Sequence, residues 1–420
     1  MSSLFALGCP VLDPSARAAH EEADALRVQG PAVPVELPGG VRAWSVTRHA
    51  VIKALTSDRR VSRDFRQHWP GRADVPDDWP LAVLTLQKGI FNAYGPAHRR
   101  LRRTIAPWFS PQRVEELRPQ VQSAADRLIA DLAATAPGEP VDLRHALSLP
   151  LAMRVICDLF GVPAFLREPL GAAMDALVAT TADTEQVRAR QGELQFRIGQ
   201  LLQYKTAHPG TDLTSDLLAP SAGDTEPIPA RELRDTLSFV LGAGYETSVN
   251  LITGAVHAML AQPQYLARIG RGGGSGGSGG IGWDDVIEET LRHDGPVMHM
   301  PLRYAVEDID LGEGIVIRRG EPIIIAFAAA GRDPDLHPDR PGVFDPTRAD
   351  KGHLAFGHGP HFCVGAHLAR LEARIALATL FDCLPDLALA HRDQSPPPIP
   401  SFLVNGPAHL HVIPVPLARG

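Results

Sequence analysis

Cysteine is scarce in this chain, with four residues (Cys9, Cys157, Cys363 and Cys383) among 420. None falls in a closely spaced pair, which excludes a disulfide framework and a zinc ribbon and leaves reduced thiols in a cytoplasmic protein as the expectation. Positive charge is not in excess. A net charge of −7 and a sequence pI near 6.2 speak against nucleic-acid binding, which normally requires a basic balance with clustered Lys and Arg. The opening residues, MSSLFALGCPVLDPSARAAHEEADAL, lack the basic start and long apolar stretch of a secretory leader. Long hydrophobic runs are also few. The one that could cross a bilayer, LSFVLGAGYETSVNLITGAVHAMLA at 237–261, carries Glu246, Asn250 and His257. A carboxylate at mid-membrane would cost about 2.5 to 3.5 kcal/mol. The run therefore reads as a buried axis of a large domain rather than a membrane insertion, extending from Pro229 to Pro263 over roughly 50 Å.

What the chain does have is apolar material, 44% of its residues, enough for a large core. Apolar side chains recur at helical spacing over 112–134 and from Leu368 onward. Strand signals are fewer: RAWSVT at 42–47, IVIRRGEPIIIAF at 315–327 with its Gly-Glu-Pro turn, and HLHVIPV at 409–415. The predicted fold class is mainly α with a small β region. One low-complexity segment, GGGSGGSGG at 272–280, reads as a flexible coil of linker-like composition, and no function is assigned to it.

Cys9, Cys157 and Cys383 sit in ordinary surroundings and read as small buried hydrophobes. Cys363 differs, because it stands in FGHGPHFCVGAHLAR at 356–370 among glycines, a proline and histidines. A helix is expected to start at Val364, Gly365 and Ala366, aiming its unpaired N–H groups at the sulfur and favouring thiolate. Gly357 and Gly359 allow turns closed to other residues, Pro360 stiffens the loop, and Gly365 admits a flat partner. From these residues alone, Cys363 could be a zinc ligand beside His353, His358, His361 and His367, a catalytic nucleophile, or the axial ligand of a haem iron.

Four further stretches narrow the choice. Phe356-Gly-His-Gly-Pro-His361-Phe-Cys363-Val-Gly365 resembles the haem-binding loop of the cytochrome P450 family. Glu289-Thr-Leu-Arg292 resembles that family's Glu-x-x-Arg signature, and Ala243-Gly244-Tyr-Glu246-Thr247 its oxygen-groove signature. His98-Arg-Arg-Leu-Arg102 resembles its propionate-binding signature, and Leu-Phe-Gly-Val-Pro at 159–163 a usual helix ending. The five marks occur in family order, and the likeness is nearest to actinomycete-type soluble bacterial members.

The resemblance implies one cytochrome P450 domain over 1–420, with the long central helix lying over haem b (iron protoporphyrin IX). It implies a monooxygenase that uses O2, two electrons and two protons to place one oxygen atom in a substrate C–H bond, the other leaving as water. By resemblance, Cys363 is the iron's thiolate ligand, His98, Arg102, Arg303 and His361 hold the propionates, and Phe356 and Gly365 line the haem. Ala243 and Gly244 thin the central helix into a groove where the Thr247 hydroxyl, bonded back four residues, organises water, and Glu246 carries protons. Glu289 and Arg292 pair structurally with a third residue, most naturally Arg340. Here Pro341-Gly-Val intervenes before Phe344, which leaves Arg348 open as the third partner.

Substrate contacts are carried over to Leu84, Met174, Val178, Val297, Met298 and Phe402. They suit a bulky hydrophobic small molecule, steroid-like first and polyketide or macrolide second. Because the chain holds no flavin or iron–sulfur motif, electrons must come from outside, and the resemblance to soluble bacterial members implies a ferredoxin with its reductase. The basic run Arg99, Arg100, Arg102 and Arg103 would be its docking face on a monomer. The alternatives are a haem-thiolate isomerase or peroxygenase, or a haem sensor without turnover. The acid–alcohol pair Glu246-Thr247 favours oxygen activation over both.

Overall fold

Residues 9–76, 79–174, 184–219, 228–270 and 280–415 are described by the structure, a computed structural model. Most of the segment 272–280 thus lies outside the described residues. The expected helices form where periodicity placed them. Pro111–Ala133 begins on Ser110, whose hydroxyl accepts the N–H of Arg113, with Pro111 in the first turn, where its missing N–H costs nothing. The central helix spans Ala230–Ala261, 32 residues or about 48 Å. No described helix is long and apolar enough to cross a membrane. Its apolar residues instead pack against three helices, Leu149–Leu159, Trp283–His293 and Ala366–Cys383, within the largest hydrophobic cluster.

Ten short strands are described: β1 (Val33–Glu36), β2 (Arg42–Val46), β3 (Val61–Ser62), β4 (Val141–Asp142), β5 (Met300–Ala305), β6 (Ile309–Asp310), β7 (Val316–Ile317), β8 (Pro322–Ile325), β9 (Ala388–Leu389) and β10 (His411–Ile413). The largest sheet has the order β1-β2-β8-β5-β3, with β2 and β8 parallel, Trp44 opposite Ile323. The expected 315–327 strand region divides. β7 pairs with β6 in a separate ribbon, whereas β8 joins the main sheet, so the Gly-Glu-Pro turn links two sheets rather than two partners. β8 is buried along Ile323, Ile324 and Ile325, the continuous apolar run of a strand covered on both faces. β10 ties β4 and β9 into a third sheet.

The helix Trp283–His293 reaches the rest of the fold through a buried ion pair. Glu289 and Arg292 are both fully buried, one turn apart, and joined by two hydrogen bonds of 2.7 and 2.8 Å. The other guanidinium hydrogens reach the carbonyls of Gly331, Pro341 and Val343 at 2.7 to 2.9 Å, so this buried cation is fully satisfied. Gly331 is required here, since a Cβ would fall 1.9 Å from the Arg292 carbonyl oxygen.

The expectation of Arg340 as third partner is corrected. Arg340 lies mostly exposed with φ +46° and faces Asp339 and Asp345 at 3.4 and 3.6 Å. It is Arg348, with only 10% of its side chain exposed, that approaches Glu289, at 3.8 Å. The physical reason is the inserted Pro341-Gly342-Val343. Its carbonyls take the Arg292 hydrogens, the backbone N–H of Asp345 occupies Glu289 at 2.7 Å, and the Arg340 side chain is carried out to solvent. Glu289→Ala would strand the Arg292 charge at a cost of about 3 to 5 kcal/mol and yield little folded protein on expression. By thermal unfolding, Arg340→Ala should be nearly neutral and Arg348→Ala clearly destabilising; equal effects would refute the correction.

Candidate active site

Cys363 stands at the end of a short turn, Gly359–His361, and just before the helix Ala366–Cys383. The helix starts later than expected, with Gly365 as its N-cap at φ −83°. Gly357 and Gly359 have φ of +72° and +73°, and a Cβ on Gly359 would meet the Thr56 carbonyl oxygen at 2.4 Å. The loop is thus pinned against the end of the helix His49–Ser57 and returns through a hydrogen bond from Cys363 N to Phe356 O of 2.9 Å. Burial pushes the Cys363 thiol up, and the N–H of Gly365 with the charges of Arg102 and Arg370 offsets this only in part. The helix start alone does not make the thiolate. A coordinated metal ion would favour the thiolate further. Arg370 also lies over the Phe356 ring, 4.5 Å from its centroid, which fixes that ring beside the loop.

The sulfur opens on a cavity of about 280 Å³ whose lining is predominantly apolar. His98, Arg102, Arg303, Phe356, His361 and Gly365 all line it, as do Ala243, Gly244, Glu246 and Thr247 from the central helix. A Cβ on Gly365 would stand 3.8 Å from the sulfur and 3.9 Å from Phe109, so its absence leaves the floor open.

On one side of the cavity, cations gather. The His98 and His361 rings are 4.0 Å apart. Burial holds both below the usual histidine range, His98 at about 4, and the charged groups acting on them, Arg63, Arg102, Arg303 and Arg99, are all positive. Burial also pulls Arg303 down to about 10. Arg303 Nη1 and Arg63 Nε are buried without a hydrogen-bond partner among the described residues. Such N–H groups are costly unless something outside the chain accepts them. Their donor chemistry fits two buried carboxylates of a planar cofactor. Arg63 was not foreseen. It sits 3% exposed after β3, donates to Pro301 O at 2.7 Å and lies 3.6 Å over the Phe91 ring, and no local motif marks it in the sequence.

Across the cavity the central helix continues as α-helix throughout, without a break at the expected groove. Thr247 Oγ1 does donate to the Ala243 carbonyl at 2.7 Å. Gly244 serves close packing, since a Cβ there would meet Ile156 Cδ1 at 2.7 Å. Glu246 is held by a buried bridge to Arg144 of 2.7 Å, and Arg144 also donates to Asn250 at 2.6 Å. Neither Arg144 nor Asn250 was foreseen beside Glu246, because 102 residues separate the ion pair. A second acid, Glu372 of the helix Ala366–Cys383, is 2% exposed, and its Oε2 has no partner among the described residues. Burial lifts its carboxyl to about 8, against a hydrogen bond from Ser248. A lone Glu in LARLEARIALATLF was the signal available for it.

The remaining substrate expectations divide. Leu84, Met174 and Val297 line the cavity, but Met298 and Phe402 do not. Side chains alternate along an extended chain, so Val297 and His299 face inward while Met298 packs on Ala19 and Ala328. Phe402 is fully buried behind the wall, stacked on His299 at 4.3 Å, while Leu403 and Val404 take the lining positions. Val178 lies outside the described residues. The basic run also divides. Arg100 pairs with Glu232 at 2.8 Å and Arg102 donates to Phe362 O at 2.7 Å, leaving Arg99 and Arg103 as the exposed members.

The folded carboxyl of Glu372, near 8, lies above its ordinary 4.5. Its protonated form therefore contributes stability that is complete below about 4.5 and is lost as pH rises through 8. Over that window wild-type stability should fall by up to about 1.4 kcal/mol per pH unit from this group. Glu372→Gln should flatten the dependence, as measured by urea unfolding at several pH values, and an unchanged slope would show the acid already ionised.

Comparisons with known proteins agree with this geometry. A family model for Cytochrome P450 matches residues 283–408. The 2-hydroxy-5-methyl-1-naphthoate 7-hydroxylase of Streptomyces carzinostaticus is 39% identical over 96% of this chain and 97% of its own. Among solved structures, CYP154A1 from Streptomyces coelicolor A3(2) is 45% identical, covers 96% of this chain and 100% of its own, and superposes with a TM-score of 0.90. The testosterone-bound CYP154C4 from Streptomyces sp. ATCC 11861 is 37% identical over 99% of this chain and 100% of its own, also with a TM-score of 0.90. With its cysteine loop, cationic cluster and central helix arranged around one cavity, the chain belongs to the cytochrome P450 family and is a haem-thiolate monooxygenase of the bacterial type.

Proposed function

We propose that this protein, acting as one unit over 1–420, binds haem b through Cys363 and hydroxylates a bulky hydrophobic small molecule, steroid-like first and polyketide or macrolide second. The observation that carries the cofactor assignment is the pair of orphaned N–H groups on Arg63 and Arg303 beside His98, Arg102 and His361. Those five residues would hold the two propionates, Phe356 and Gly365 would flank the ring, and Cys363 would ligate the iron. When bound, that centre supplies the reductive activation of O2 and the transfer of one oxygen atom to carbon.

The chain's own residues do the rest. Ala243, Gly244 and Thr247 form the wall opposite the sulfur. The Thr247 hydroxyl donates its proton to Ala243 O, so its lone pairs are turned to accept from a water or a reacting group in the cavity. Glu246 can carry protons to that point when it exchanges Arg144 for water. Leu84, Met174 and Val297 favour an apolar substrate. The steroid reading is supported by the testosterone held by CYP154C4, while the name of the naphthoate hydroxylase points to a fused aromatic acid. A ferredoxin with its reductase would supply electrons to a cytoplasmic monomer, docking near exposed Arg99 and Arg103.

Haem-loaded protein, reduced under carbon monoxide, should show the thiolate-type carbonyl spectrum, and Cys363→Ser should abolish it. A spectrum like that of a histidine-bound globin would refute the assignment. Steroids and macrolides can then be ranked by the spectral shift that accompanies loss of iron-bound water. With the best binder, Thr247→Ala should keep haem and substrate affinity yet lower product per electron several-fold, the difference appearing as peroxide. Unchanged coupling would remove Thr247 from oxygen chemistry.

A further inference from the structure

Away from the haem cavity, two histidines converge on one carboxylate. Asp142 ends β4, His145 stands in the turn that follows, and His409 comes from the segment entering β10. Asp142 Oδ2 accepts from His145 Nδ1 at 2.7 Å and from His409 Nδ1 at 2.8 Å. Its Oδ1 is fixed by the backbone N–H groups of Leu410 at 3.0 Å and Arg144 at 3.1 Å. Oxygen and both nitrogens lie within 4.8 Å of one another. The carboxylate is largely buried, with 16% of its side chain exposed, while the two imidazoles are more than half exposed. Further donors follow, His411 with its ring 6.1 Å from that of His409, and His391 6.4 Å from His411. A small cavity of about 70 Å³ lies beside them, lined by His391, His409 and His411.

We propose that Asp142, His145 and His409 form a binding site for one divalent transition-metal ion of the zinc class. Two imidazole nitrogens and one carboxylate oxygen are the donor set such ions select, whereas magnesium and calcium prefer oxygen alone. A tetrahedral ion with bonds of about 2.0 to 2.2 Å holds its ligand atoms roughly 3.3 Å apart. The present 2.7 and 2.8 Å need open by only about half an ångström, a movement that exposed imidazoles can make. Neutral imidazoles lose no proton in the exchange, since each moves its hydrogen from Nδ1 to the outward Nε2. A water or His411 completes the fourth position. The backbone bonds to Oδ1 would hold the carboxylate in place as the ion binds. The ion would clasp β4 to the strand-entering segment at 409, on the same carboxylate that anchors the backbone N–H of Arg144.

The test uses the full-length, haem-loaded protein after chelator treatment, titrated calorimetrically with Zn²⁺. One stoichiometric site is expected, unaffected by excess Mg²⁺ or Ca²⁺. His145→Gln and His409→Gln, which can still hydrogen-bond to Asp142, should each weaken Zn²⁺ binding by about tenfold or more while leaving the haem spectrum unchanged. Zinc should raise the unfolding midpoint of the wild type but of neither variant. Absence of a stoichiometric site, or a site indifferent to both substitutions, would overturn the proposal.

Discussion

Two buried arginines, Arg63 and Arg303, each with an N–H that has no acceptor among the described residues, organise the centre of this molecule. Arg63, Arg303 and Arg102 converge with His98 and His361 on one side of an apolar cavity, and two guanidinium hydrogens there have no acceptor among the described residues. Burying such groups costs several kcal/mol each unless they are paired. The fold tolerates the arrangement because it is incomplete without an anionic partner. The same logic applies to Cys363, whose thiol is raised by burial, a shift that a bound cation would offset. One haem, as proposed, would supply both anionic propionates for the arginines and a metal for the sulfur. The two deficits of the protein are thus complementary, and each explains why the other persists.

The rest of the structure keeps these groups in register. The helix Trp283–His293 is fixed by the Glu289–Arg292 pair, every hydrogen of which is satisfied. The cysteine loop leans on the end of the helix His49–Ser57 through Gly359. The central helix crosses Leu149–Leu159 closely at Gly244, where Ile156 leaves no space for a side chain. These are contacts of packing, yet each sets the position of a group that faces the cavity. Two buried acids lie where the central helix meets its neighbours, its own Glu246 bridged to Arg144 and Glu372 of the helix Ala366–Cys383 bonded to Ser248. The first is tied to an arginine, whereas burial raises the carboxyl of the second to about 8.

The long central helix, the mainly α composition and the presence of Cys363 at the cavity were legible in the sequence. Each rests on local information: an apolar run interrupted by one acid, spacing of 3.6, and a glycine-rich loop of ten residues. Four residues on the cationic side of the cavity, His98, Arg102, Arg303 and His361, were named through the family resemblance, whereas Arg63 belongs to no motif. Arg144 was invisible for the same reason, its partner being remote in the chain. Met298 and Phe402 were misplaced by a half-period. An apolar residue in an extended segment faces one side or the other, and both sides of that segment are buried, so hydrophobicity could not decide.

Composition and local pattern were therefore enough to say which elements form and which loop carries the candidate ligand Cys363, because backbone conformation depends on neighbours in sequence. Only the tertiary structure decided that Arg348 and not Arg340 approaches Glu289, that Glu246 is locked to Arg144, and that Arg63 completes the cationic cluster. In those pairings Glu289 and Arg348 are 59 positions apart, Arg144 and Glu246 are 102, and Arg63 lies 298 from His361. Their energies come from burial and the low dielectric that burial creates, and neither exists until the chain has folded.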